Sequence, residues 1–279
     1  GQGYQVRVGA HSWDMEERNR PSIRRLDRAT STYDINSTVT KVASPYGGGI
    51  YIEVPFGADA GVVTVEVDGA VRSPYFSFKS YDTTSLADWL ATERNHGAPW
   101  ADFQSEKFMM QVPRTWIYNL EDPVTLMSEW DGAMDAMNDL MGFPRDRGKE
   151  TMYCQVDLIF RSAVHAPGYP ATNQTDGSPA TDNKGGYAGS YLVRGPRSGA
   201  DTEIHEQGHA YFFPKFGGET ESAVNFPYVA VLHRSLGLSL DEAHAKSRGF
   251  GPERALDNTA IAWMTVFNFS PREVEMAAG

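Results

Sequence analysis

From Tyr4 to about residue 80, apolar and polar positions alternate in short runs: Tyr4-Gln5-Val6-Arg7-Val8, Ile50-Tyr51-Ile52-Glu53-Val54 and Val62-Val63-Thr64-Val65-Glu66-Val67, the last leading into Asp68-Gly69. A period of two places successive side chains on opposite faces of a sheet, so these runs predict antiparallel strands. Gly47-Gly48-Gly49 and Pro55-Phe56-Gly57 interrupt them at turn-like intervals. No repeat period points to a solenoid, and a β-sandwich or half-barrel is the expected form.

Near Thr83 the pattern changes. Thr83, Thr84 or Ser85 can cap a helix that carries Leu86, Trp89 and Leu90 on one face, and helices are expected to dominate from there. Asp122-Pro123 is a helix start with proline at the first position, followed by Val124, Met127, Trp130, Met134, Met137 and Met141 at three- and four-residue spacing. Such a stripe, ending at Gly142-Phe143-Pro144, reads as the buried face of a core helix rather than a flexible methionine groove. Tyr153 to Phe160 returns to a strand-like run, and Phe250 to Phe267 reads as a helix-forming tail. Between them, Ala166 to Ala200 is rich in Gly and Pro and contains Tyr169, Tyr187, Tyr191 and Arg194. Irregular chain of that length commonly forms a lid or substrate wall. The expectation is an α+β protein, with residues 1–80 an antiparallel β-rich N-terminal subdomain and residues 81–279 a mainly helical catalytic subdomain.

Composition narrows the partners. The 279 residues are 41% hydrophobic and 22% charged, enough for a sizeable core. Lys plus Arg number 25 against 36 Asp plus Glu, a net charge of −11, which argues against nucleic acid or an anionic membrane surface. Apolar runs fall far short of the roughly 20 residues of a membrane-spanning helix, so no membrane insertion is expected. The single cysteine, Cys154, can form neither an internal disulfide nor a Cys-rich zinc site, so any metal must rely on His and carboxylates. Gly1-Gln2-Gly3-Tyr4 begins almost directly in a strand-like run, without a signal core, as expected of part of a longer multidomain chain. The sequons at Asn36, Asn173 and Asn268 are no more than chance supplies and receive no function.

Thr202-Glu203-Ile204-His205-Glu206-Gln207-Gly208-His209 contains H-E-x-x-H. On a helix, residues four apart share a face, so both imidazoles can bind one Zn²⁺ while Glu206 reaches a water beside it as general base. Twelve positions after His209 lies Glu221, where Gly217-Gly218 allow a turn into a second helix running through Val229, Val231 and Leu232, with a kink at Pro227. Glu221 is the expected third ligand; Glu219 is the competitor, better placed to serve the helix start. Asn225, one turn after Glu221, can hydrogen-bond a ligand from behind. Two His, one Glu and an open position make the catalytic form of a zinc site, and hydrolysis is the expected chemistry. Tyr169, Tyr187, Tyr191 and Arg194 are candidates for substrate binding or oxyanion stabilisation.

Here the chain resembles the enhancin-like gluzincin metallopeptidases, a family that includes bacterial peptidases acting on mucin-type O-glycoproteins. The likeness runs through Gly48-Gly49-Ile50-Tyr51-Ile52, Ala98-Pro99-Trp100-Ala101, Gly168-Tyr169-Pro170, His205-Glu206-Gln207-Gly208-His209 and Thr220-Glu221-Ser222-Ala223-Val224-Asn225. It implies a β-rich part joined to a mainly helical zincin part, with His205, His209 and Glu221 holding zinc and Glu206 as base. It also implies secretion or a cell-surface location, and cleavage of O-glycosylated proteins beside a glycosylated Ser or Thr. Two alternatives stand: a zinc peptidase indifferent to glycans, and a noncatalytic glycan-binding module, which would have no need of Glu206.

Overall fold

The computed structural model describes residues 3–9, 30–55, 57–59, 61–143, 151–157, 165–166, 171–174, 191–212 and 223–247. The chain forms two compact units, Gly1–Pro123 with Lys149–Ala188, and Val124–Gly148 with Gly189–Gly279. The expected α+β class is what the elements form.

In the first unit, β1 (Gln5–Val8) is the centre of a three-stranded antiparallel sheet between β2 (Ser31–Asp34) and β3 (Ile50–Glu53). A second sheet joins β4 (Tyr75–Lys79), β5 (Asp82–Thr83), β6 (Trp100–Gln104), β7 (Phe108–Pro113), β8 (Met152–Asp157), β9 (His165–Ala166) and β10 (Ala171–Gln174) in the order β5-β4-β6-β7-β8-β10-β9. It is mixed, with parallel pairs at β4/β6, β7/β8 and β8/β10.

The register sorts its middle strands into rows. Phe103, Met110 and Cys154 lie opposite one another across β6, β7 and β8, and all three are buried. α1 (Leu86–Ala91) adds Trp89, whose ring sits 5.2 Å from that of Phe103 and 5.9 Å from that of Phe76. Its start is fixed by Ser85, whose hydroxyl accepts the Asp88 N–H at 3.0 Å.

The alternate row, Asp102, Gln111 and Gln155, is polar. Tyr51 of β3 closes it: its hydroxyl donates to Asp102 Oδ1 at 2.8 Å and accepts from Gln111, while Tyr153 donates to Tyr51 at 3.3 Å and Gln155 to Gln111 at 3.0 Å. Buried polar groups are tolerable in such a place because each finds a partner.

Two local expectations differ from the structure. Val62 to Val67 is not a strand; it has no ladder partner among the described residues, and Val62 is 98% exposed. Alternation of β-branched residues makes a strand only where a neighbouring edge and a surface to pack on are available. Conversely, β6 and β7 occupy a stretch where helices were expected to dominate. β7 is buried along nearly its whole length, which removes the alternation that marks a half-exposed strand, and β6 alternates over five residues only.

In the second unit, α2 (Pro123–Met141) starts at Pro123 and buries Met127, Trp130, Met134, Met137 and Met141, leaving Val124 half-buried. Gly142, at φ +70°, ends it, and the Phe143 N–H returns to the Asn138 carbonyl at 2.9 Å. α3 (Tyr191–Arg194), α4 (Asp201–Phe212), α5 (Phe226–Ala230) and α6 (Leu240–Lys246) follow. Pro227 lies in the first turn of α5, where a missing N–H costs nothing, so it starts the helix rather than kinking it. The expected run through Leu232 changes instead into a π-helical turn at Val231–Ser235. Among the described residues no helix is long and apolar enough to cross a membrane. The Phe250 to Phe267 tail lies outside the described residues.

Candidate metal centre

α4 carries the H-E-x-x-H residues, and its approach is pinned to α2. Trp130 Nε1 donates to the Leu192 carbonyl at 3.0 Å, and Arg197 Nε meets Glu129 Oε1 at 2.8 Å. The first turn of α4 bears Asp201 and Glu203, acids that favour a helix N-terminus. Ile204, Gln207, Gly208 and Tyr211 face inward, and Tyr211 reaches Met134 Sδ of α2 at 3.8 Å. A helix held on that face must present its other face outward.

The outward face holds His205, Glu206 and His209, each half-buried, with one ligand atom from each lying within 4.8 Å of the others. The two imidazole centroids are 5.2 Å apart with the rings at 84°, and His209 Nε2 stands 3.7 Å from Glu206 Oε2. This donor set fits Zn²⁺ by chemistry and spacing. His205 Nδ1 is 2.9 Å from Asn225 Oδ1, at the start of α5. An amide oxygen only accepts, so Nδ1 carries the proton and Nε2 keeps its lone pair for a metal. Asn225, at the start of α5, thus holds the ring of His205 from the Nδ1 side.

Tyr191 and Arg194 lie together on α3, the guanidinium 4.9 Å from the Tyr191 ring centroid, with Arg194 exposed. Tyr169, Tyr187, Glu219 and Glu221 lie outside the described residues.

Two features escaped the sequence reading. Tyr228 of α5 is buried, and burial, with Asp201, Tyr191 and Glu203 nearby, pushes its hydroxyl up to about 12, so it remains a neutral phenol. A lone tyrosine in an apolar helix gives no sequence signal for this. Gly208 did leave one: glycine inside a helix costs about 1 kcal/mol relative to alanine, and its presence between Gln207 and His209 marks a close approach.

The comparisons with known proteins agree with this geometry. The chain is 30% identical over 250 residues to a TRPM8 channel-associated factor homolog of Xenopus laevis, covering 87% of this chain and 26% of the relative. It is 30% identical over 251 residues to human TRPM8 channel-associated factor 2, covering 87% and 25%. The chain thus spans about a quarter of the length of the curated relatives it matches. Among solved structures, a conserved protein of unknown function from Bacillus anthracis shares the fold with a TM-score of 0.65 at 16% identity, over 94% of this chain and 50% of that one. Residues 1–68 match the N-terminal domain of M60-like peptidases. Residues 69–261, which include His205, Glu206 and His209, match peptidase M60, enhancin and enhancin-like, and the chain belongs to that family.

Proposed function

We propose that this chain is a zinc-dependent endopeptidase that hydrolyses O-glycosylated, mucin-type proteins beside a glycosylated Ser or Thr, acting outside the cell or at its surface. The observation that carries the reading is the clustering of His205, Glu206 and His209 on the outward face of α4, with His205 oriented by Asn225. His205 and His209 would hold Zn²⁺ through ring nitrogens, with Glu221 as the third ligand. A bound zinc supplies Lewis acidity toward a water and the scissile carbonyl.

The chain's own residues do the rest. Glu206, one position along from His205, accepts the proton of the attacking water on its carboxylate and passes it to the leaving amine. Asn225 holds the His205 ring in one tautomer, which leaves Nε2 as the nitrogen that would meet the metal. Tyr191 and Arg194 would meet the sugar, with Tyr169 and Tyr187 as further candidates from the sequence, since a ring stacks on a sugar's apolar face and a guanidinium bonds its hydroxyls. The glycoprotein part of the reading rests on the resemblance of the motifs to mucin-type peptidases.

A second reading, a noncatalytic binding module, draws on the 30% identity to channel-associated factors. One experiment separates the two. Zinc-loaded wild-type and Glu206→Ala chains are incubated with a defined peptide, bare or bearing GalNAc on one Thr, and the products are read by mass spectrometry. Cleavage of the glycopeptide next to that Thr, lowered about 10²- to 10⁴-fold in Glu206→Ala with zinc retained, supports the peptidase. Equal cleavage of both peptides favours the glycan-indifferent enzyme. Zinc bound without turnover of either favours the binding module.

A further inference from the structure

Gly208 lies in the interior of α4, three residues after His205 and directly before His209. A side-chain carbon placed there would stand 3.2 Å from Pro227 Cγ, 3.2 Å from Val224 Cβ and 3.3 Å from the Val224 carbonyl oxygen. All three distances are shorter than ordinary carbon contacts of about 3.5–4.0 Å. None of these atoms can swing aside: one is backbone, one belongs to a proline ring and one is attached directly to the main chain. Val224 and Pro227 are themselves buried. Between them in sequence is Asn225, whose Oδ1 holds His205 Nδ1 at 2.9 Å. The bare backbone of Gly208 is what lets this turn lie against α4, and the turn brings the acceptor to the histidine.

We propose that Gly208 is a positioning residue of the metal centre, which by lacking a side chain sets the separation between α4 and the Val224–Pro227 turn and thereby the His205–Asn225 hydrogen bond. The inference rests on the reading of this helix as a zinc site. Moving the turn outward by a few tenths of an ångström would carry a 2.9 Å bond past about 3.2 Å, where N–H···O bonds weaken. His205 would then lose the partner that fixes its tautomer, an effect that typically weakens metal binding about 10- to 100-fold.

The test is the zinc dissociation constant, measured by chelator competition on the whole chain, together with the thermal midpoint of each metal-free variant. In Gly208→Ala, zinc binding weakens about tenfold while the metal-free midpoint moves by only a few degrees, alanine's helix propensity of about 1 kcal/mol offsetting much of the packing strain. Asn225→Ala weakens zinc to a similar degree, and the double variant is no weaker than the poorer single one, since both act through one bond. Gly208→Ala/Pro227→Ala, which removes the ring contact, recovers part of the affinity. Zinc binding by Gly208→Ala equal to wild type overturns the proposal, as do fully multiplicative losses in the double variant. Failure of both Gly208 variants to fold also overturns it, making Gly208 a requirement of the fold. A wild-type chain that binds no zinc overturns the metal reading itself, a result distinct from all of these.

Discussion

At the scale of single residues, the proposed zinc site turns on which carboxylate would serve as its third ligand. Glu206 lies within the cluster formed with His205 and His209, its Oε2 3.7 Å from His209 Nε2. It nevertheless sits between the two histidines in sequence, one position from the first, the place the general base occupies in H-E-x-x-H. From there it serves a water better than it closes a tetrahedron. That leaves the ligand to come from another segment. Glu221 stands four residues before Asn225 in the sequence, and Asn225 touches His205. Metal analysis of the purified chains is expected to find about one zinc per chain in wild type and in Glu219→Ala, and a large loss in Glu221→Ala. Full zinc in Glu221→Ala, with the loss appearing in Glu219→Ala, would move the third ligand two residues upstream. The spacing of four between the histidines made this much legible, because helix geometry converts sequence distance directly into shared facing. The role of Gly208 was not legible in the same way, since a glycine in sequence shows that something comes close without naming what does.

At the scale of elements, the Gly48-Gly49-Ile50-Tyr51-Ile52 motif acquires a physical reason. Gly49 leaves room for the polar row: a side-chain carbon there would fall 2.5 Å from the Tyr51 hydroxyl oxygen and 2.8 Å from Gln111 Nε2. Tyr51 then joins β3 to the middle of the mixed sheet through Asp102. Burial pushes the Asp102 carboxyl up to about 6, outweighing the hydrogen bonds from Tyr51 and Gln111 that favour its ionised form. A carboxyl with a higher pKa in the folded than in the unfolded chain contributes stability that is complete below the unfolded value near 4 and is lost as pH rises through about 6. Urea denaturation between pH 4 and 8 is therefore expected to show wild type losing stability relative to Asp102→Asn across pH 4 to 6.5, with a constant difference above pH 7. Parallel profiles would show that Asp102 does not titrate in this window. Other elements were read with uneven success, for one reason. α1 and α2 announce themselves by caps and a one-sided apolar stripe, local signals that survive folding unchanged. β6 and β7 pair as a hairpin around residues 105–107, but β6 alternates over only five residues and β7 is buried almost throughout, so neither offers a long run with a period of two. Val62 to Val67 errs the other way, with the strand pattern but no ladder partner among the described residues.

At the scale of the whole molecule, the net charge of −11 is the property that any long-range approach of substrate must meet. Mucin-type glycans come both neutral, as with a single GalNAc, and anionic, where a sialic acid adds a carboxylate. A neutral glycopeptide feels little of the protein's average field, whereas a sialylated one is repelled before any contact forms. That repulsion is screened over a Debye length that shrinks from about 30 Å at 0.01 M salt to about 8 Å at 0.15 M. If this chain cleaves O-glycopeptides as proposed, kcat/KM for a sialylated substrate should rise several-fold between about 0.01 and 0.15 M NaCl, while that for the same peptide bearing GalNAc alone stays nearly constant. The neutral substrate controls for any effect of salt on zinc retention or on folding, so the ratio of the two rates isolates the electrostatic term. A ratio independent of salt would mean that the acidic surface lies away from the approach to α4. A ratio that falls with salt would place a locally basic wall, with Arg194 its first candidate, in front of the metal centre.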